Sequence, residues 1–116
     1  MAEAAATPDR DGLHGLAADL RAFARARDWE QYHTPKNLAM ALAGEAGELV
    51  ACFQWLTPAE SGQVMHDPGK ATEIESELAD VLSYLIRLAD VLGVDLATAV
   101  RCKIQVNEKR FPPGGS

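Results

Sequence analysis

Cysteine is scarce in this chain, and the two present, Cys52 and Cys102, lie far apart in sequence, each inside a helical pattern. That excludes a disulfide-rich scaffold and a thiolate metal knuckle, and it fits the reduced thiols of a cytoplasmic protein. Aromatic residues make up only 6% of the chain, so the core is aliphatic, and Trp29 and Trp55 each need a reason. Apolar runs fall well short of the roughly 20 residues of a membrane span. The first residues, MAEAAATPDRDG, lack the basic start and apolar stretch of a signal peptide. Positive charge is also in deficit: 11 Lys and Arg stand against 17 Asp and Glu, a net charge of -6. This opposes binding to nucleic acid polymers or anionic membranes, so an anionic ligand needs cations supplied by its own site. Nowhere does the sequence alternate as a half-buried strand does, so the fold class is all-α.

The helical patterns number four. Leu13, Leu16, Leu20 and Phe23 mark a first helix over about Asp11–Arg27. Thr34-Pro35 caps and starts a second, expected from Pro35 to Leu56, with Leu38, Leu42, Ala46, Leu49, Phe53 and Leu56 as its stripe. A third, from about Lys70 to Leu92, carries Ile74, Leu78, Val81, Leu85, Leu88 and Leu92; Gly93 ends it, and Asp95 caps a fourth that runs to about Arg110. Residues 1–10 and 112–116 offer little to bury and are expected to be disordered, leaving residues 11–111 as one helical domain, a four-helix bundle. At 116 residues the chain gains from oligomerisation, and Leu82, Ile86 and Val91, off the main stripe of the third helix, ask for another partner.

The apolar second helix carries GEAGEL, with Glu45 and Glu48 three residues apart. That spacing places them side by side on the edge of the buried stripe. The third helix repeats the arrangement with Glu77 and Asp80, and Glu73 and Tyr84 extend the same face. Taken alone, either pair is the ordinary solvated charge of a helix surface. If the two helices pack antiparallel, however, four carboxylates meet around one space, where two such charges about 5 Å apart repel by about 3 kcal/mol. Divalent cations remove that cost, and oxygen-only ligation suits magnesium or manganese. A di-iron site instead needs Glu-x-x-His on two helices; one such string exists, Glu30 to His33, and it ends in a break.

Lys103, Asn107 and Arg110 line up on the fourth helix within the arc of Leu96, Val100 and Ile104. They suit a polyphosphate chelated by the metals, or ion pairs with acids across the bundle. Trp29 and Trp55 can stack a base at a pocket mouth or simply seal a bundle end. His33 can bond a ligand or cap a helix.

DWEQYHTPKNLAMALAGEAGELVACFQW, ESELADVLSYLIRLADVLGVDL and KIQVNEKRFP together resemble the MazG-like all-α nucleoside triphosphate pyrophosphohydrolases, most closely the dCTP pyrophosphatase branch. The likeness rests on E-x-x-E followed by E-x-x-D, here Glu45, Glu48, Glu77 and Asp80, and on the closing K-x-x-x-N-x-x-R-F-P from Lys103 to Pro112. It implies magnesium-dependent hydrolysis of a nucleoside triphosphate, dCTP or a modified dCTP, to the monophosphate and pyrophosphate in nucleotide-pool cleaning. The four acids would hold Mg2+, or Mn2+, and Glu48 or Glu45 would orient or deprotonate the attacking water. Lys103, Arg110, Asn107 and Tyr84 would steady phosphates and sugar, while Trp29, Trp55 and His33 would line the base side. A homodimer or homotetramer with sites between subunits is implied as well. The branch has a helix-one histidine where this chain has Leu20, with His14 about two turns away, which leaves base preference open to a broader (d)NTP or dUTP activity. A catalytically idle module that binds nucleotide or protein is the reading from another class.

Overall fold

The computed structural model describes residues 12–114, which form helices and turns and, among the described residues, no strand. The long helices are α1 (Leu13–Ala26), α2 (Pro35–Ala51), α4 (Pro68–Leu92) and α5 (Leu96–Arg110), and the four-residue α3 (Pro58–Ser61) lies in the α2–α4 connection. Single 3-10 turns occupy Glu30–Tyr32 and Val64–His66. The expectation for residues 1–10 lies outside the described residues, as do residues 115 and 116 of the expected tail.

Local chemistry explains the boundaries. Thr34 Oγ1 accepts the Asn37 amide at 3.1 Å, with Pro35 in the first turn of α2. Thr57 and Glu60 form a reciprocal capping box on α3, at 2.9 and 3.1 Å. Asp67 accepts the Gly69 amide at 3.0 Å and precedes Pro68, so α4 starts two residues before the expected Lys70. Gly93 ends α4 at φ 73°, a left-handed conformation that costs glycine little, and Asp95 takes the Thr98 amide at 3.1 Å to open α5. The end of α2 is corrected: beyond Ala51 the chain tightens into turns, in which Phe53 and Leu56 donate to carbonyls three residues back. Thr57, extended at φ -74° and ψ 161° before Pro58, starts a separately capped helix, so the chain turns between Ala51 and Thr57 instead of running on as one helix.

α4 is the spine, packed along α2 and, less extensively, along α1 and the Val64–His66 turn. Leu38 is fully buried there, with Ile74, Ile86, Ala89, Ala24 and Val64. The expected stripe of α4 is only partly covered: Leu78, Leu85 and Leu92 are exposed, Leu78 by 51%, beside exposed Leu82 and Val91. Ile86, expected to need an outside partner, is instead buried within the chain. α5 has no buried residue and exposes Val100 and Ile104. The radius of gyration is 17.6 Å, against about 13 Å for a compact chain of about 100 residues. The helices therefore do not close around one core within a single copy.

Candidate active site

α2 and α4 bring the acids together. One carboxylate oxygen from each of Glu45, Glu77 and Asp80 lies within 4.8 Å of the other two. That is a spacing one hard cation can bridge, since each oxygen ligand sits about 2.0–2.6 Å from such an ion. Glu77 Oε2 is buried without a hydrogen-bond partner, an orphan that a cation would satisfy. Burial pushes the Glu45 carboxyl up, with the neighbouring Asp80, Glu77 and Glu48 carboxylates adding to the effect. Glu48, three residues on from Glu45, is exposed and stands outside the compact trio, though its charge reaches Glu45. Cys52 borders the same cluster: its Sγ is 3.5 Å from the Glu48 carbonyl, and burial followed by Glu73 raises its thiol. It stays protonated, so the donors facing an ion are oxygens and the fit is to a hard divalent metal.

Asp80 also lines a cavity of ≈ 340 Å³ between α1, the Glu30–Tyr32 turn and α4. The volume suits a small-molecule site. Trp29, Phe23, His33 and Tyr84 form its aromatic side, and Leu20 reaches it from α1. Trp29 meets Phe23 edge to face at 5.7 Å, and the Arg27 guanidinium covers Phe23 at 3.6 Å. Trp29 is therefore braced while its ring remains partly open. His14 lies elsewhere, 3.6 Å from Asp95 at a second cavity of ≈ 240 Å³ beside the α4–α5 turn.

Arg87 of α4 completes this wall, and Asp90 holds it from behind. Arg87, only 6% exposed, donates from Nε to His33 Nδ1 at 3.1 Å and from Nη1 to Asp90 at 3.0 Å. Arg21 of α1 grips the same Asp90 carboxylate with two bonds of 2.9 and 2.7 Å. The signal for Arg87 was available: Glu73, Glu77, Asp80, Tyr84 and Arg87 continue one face in steps of four and three.

Trp55 is 86% exposed and lines neither cavity. Lys103, Asn107 and Arg110 on α5 also line neither cavity; Lys103 and Arg110 are exposed, and the Arg110 guanidinium lies 5.0 Å from the Phe111 ring. The single chain thus brings together Glu45, Glu77, Asp80, Tyr84, Trp29 and His33, and leaves the α5 residues and Trp55 apart.

The MazG-like family model matches residues 41–114, a span that holds both acidic pairs and all of α5. The chain is 48% identical over 105 residues to dCTP pyrophosphatase 1 of Homo sapiens and 47% identical to that of Bos taurus, with 90% of this chain aligned in each case. It spans 60% of the length of these curated relatives. A solved structure of a pyrophosphatase from Archaeoglobus fulgidus superimposes with a TM-score of 0.79 at 40% identity, covering 85% of this chain and 91% of the other. On motif, sequence and fold together, the chain belongs to the MazG-like family.

Proposed function

We propose that this chain hydrolyses a nucleoside triphosphate, dCTP or a modified dCTP, between its α and β phosphates, with residues 11–111 acting as one hydrolase domain. The observation that carries the reading is the continuity of two sites through Asp80: a carboxylate trio with an orphaned buried oxygen opens onto a cavity with an aromatic wall. Glu45, Glu77 and Asp80 are the residues that hold a divalent cation, Mg2+ or Mn2+. When bound, the cation neutralises triphosphate charge and polarises a water. Glu48, exposed at the rim, takes the proton of the water that attacks the α phosphorus as pyrophosphate leaves. Trp29 stacks the base, while Tyr84, one turn beyond Asp80, places its hydroxyl toward sugar and phosphate. An unpaired buried carboxylate oxygen asks for a cation, which favours a metal-dependent nucleotide site over a module that binds only protein.

Incubating the protein with each common triphosphate and with 5-methyl-dCTP, plus magnesium, and separating the products by anion exchange tests the proposal. Pyrophosphate and monophosphate are expected, fastest from the cytosine substrates. Release of orthophosphate, or no turnover at all, overturns it.

The reading includes a homodimer or homotetramer. The uncovered leucines of α4 and the unpacked α5 are what a second copy would cover, bringing Lys103, Asn107, Arg110 and Trp55 toward a neighbouring acidic trio. No helix among the described residues is long and apolar enough to cross a membrane, and work on the nucleotide pool places the protein in the cytoplasm. Leu82→Glu/Leu85→Glu, on the exposed face of α4, is expected to convert the oligomer to monomer in light scattering and to lower kcat/KM by about a hundredfold, the order expected when a catalytic charge stabiliser is lost. A monomeric wild type, or a double variant that stays assembled, contradicts this.

A further inference from the structure

The Arg87–His33 contact decides which atom of the histidine is left for a ligand. An arginine side chain carries no acceptor and keeps its protons in proteins, so Nε–H of Arg87 can only donate. The partner at 3.1 Å is His33 Nδ1, which must therefore present a lone pair. A neutral imidazole with an accepting Nδ1 carries its hydrogen on Nε2. The arginine itself is fixed: it is buried, and its Nη1 is bonded to Asp90, which Arg21 holds from the other side; its Nη2 stands 4.0 Å from Glu30. Rotation of the guanidinium away from His33 would break these contacts.

We propose that Arg87 is a positioning residue that locks His33 as the neutral Nε2–H tautomer, so that the aromatic wall of the cavity presents a hydrogen-bond donor to an acceptor on the base edge of the nucleotide. The acceptor is a carbonyl oxygen or an unprotonated ring nitrogen, and a base that turns an N–H toward this point is disfavoured, because donor would then face donor. The base-reading half rests on the function proposed above; the tautomer does not.

Charge supports the same conclusion. Burial and then the Arg87 cation hold His33 below its ordinary value, with Glu30 opposing. The charged and titratable groups about the ring are Arg87 of α4, itself bonded to Asp90, Glu30 on its own turn, with Arg25 of α1 3.4 Å from Glu30, and Asp80 and Tyr84, which line the same cavity. Protonating His33 would put an Nδ1 hydrogen against the Nε hydrogen of Arg87.

The test is a long-range 1H–15N correlation spectrum of the full chain labelled in histidine, with the His33 signals assigned by His33→Gln. His33 is expected as the Nε2–H tautomer at pH 7, titrating below the ordinary histidine value. Its Nε2–H resonance should move when dCMP is added. In Arg87→Met the tautomers should mix and the ring lose its fixed orientation, and KM for dCTP should rise about two- to tenfold, about twofold from an even tautomer mix and the rest from the misoriented hydrogen bond, with kcat changed less than twofold. An Nδ1–H tautomer or an imidazolium in the wild type at pH 7 overturns the lock, and this spectrum decides even if Arg87→Met fails to fold. Turnover of dCTP without any response of His33 to dCMP overturns the base reading. A correct tautomer in a protein that hydrolyses no triphosphate leaves the lock standing and overturns the proposed function together with the base reading.

Discussion

Glu77→Gln is expected to lower turnover at least a thousandfold and, in metal-free protein, to raise the melting temperature. Both effects come from one atom's surroundings. Glu77 Oε2 is buried without a partner, and the Glu77, Glu45 and Asp80 carboxylates each offer an oxygen within 4.8 Å of the others. At that distance each pair of charges repels by about 3 kcal/mol at an effective dielectric near 20, and an unsatisfied buried oxygen costs about 1–3 kcal/mol. Solvent and partial protonation reduce these figures, and a net gain of about 1 kcal/mol for the neutral amide is reasonable. That corresponds to about 4–8 °C in a domain of about 100 residues. With magnesium the order reverses. A ligand at a hundred times its Kd stabilises the wild type by about 2.7 kcal/mol, whereas the variant has lost a charged ligand and gains little.

The acidity of Glu45 gives the pH dependence its sign. Its folded carboxyl titrates above the ordinary 4.5, so the folded chain holds the proton more tightly than the unfolded one. In metal-free protein, stability from this group is present below that value and is lost as pH rises through the raised folded value. Magnesium binding strengthens over the same window as the competing proton leaves. Differential scanning fluorimetry of both proteins, with and without magnesium, reads all of this; an apo variant that melts below the wild type, or one that keeps the full magnesium response, refutes the account.

The helix starts were legible because they depend on local chemistry. Thr34-Pro35 and Asp95 cap as their residue types require, and Gly93 takes the left-handed turn that its position after the stripe predicts. The meeting of Glu45 with Glu77 and Asp80 was legible for a related reason, since three-residue spacing beside an apolar stripe fixes which way a carboxylate faces. What covers a stripe is a different matter. Leu78, Leu85 and Leu92 have the periodicity of core residues and are exposed in the single copy, because periodicity reports an apolar face and not its partner. Arg87, inside YLIRLAD, has the composition of an exposed charge. Spacing along α4 puts it on the acidic face three residues before Asp90, but its burial depends on Arg21 and His33 arriving from two other parts of the chain, which that spacing does not reveal. Trp55 lies in the turns after Ala51 and is exposed in the single copy, so its place relative to a site depends on what covers it, which again periodicity does not report.

Asp90→Ala is expected to cost about 3 kcal/mol at pH 7, the lower end of what breaking a buried ion pair costs, and so a large part of a total stability of about 5–15 kcal/mol. Asp90 takes two bonds from Arg21 and one from Arg87. Arg21 is 41% exposed on its side chain and can turn to water, but Arg87 is 8% exposed and cannot. Without Asp90 the buried guanidinium keeps only the neutral His33 nitrogen and Glu30 at 4.0 Å. Arg21→Met leaves Arg87 to neutralise Asp90 and should cost far less, as loss of an exposed partner does. The ranking is therefore Asp90→Ala well above Arg21→Met, and urea unfolding measures it. Hydrogen bonds from Arg21, against a smaller opposing effect of burial, hold the Asp90 carboxyl below its ordinary 3.8. Its contribution is thus complete above that value and fades as pH falls through the lower folded one, so the gap between wild type and Asp90→Ala should close in acid. A gap that persists there, or an Arg21→Met variant at least as damaged, would mean that Asp90 matters for packing rather than for the buried cation beside it.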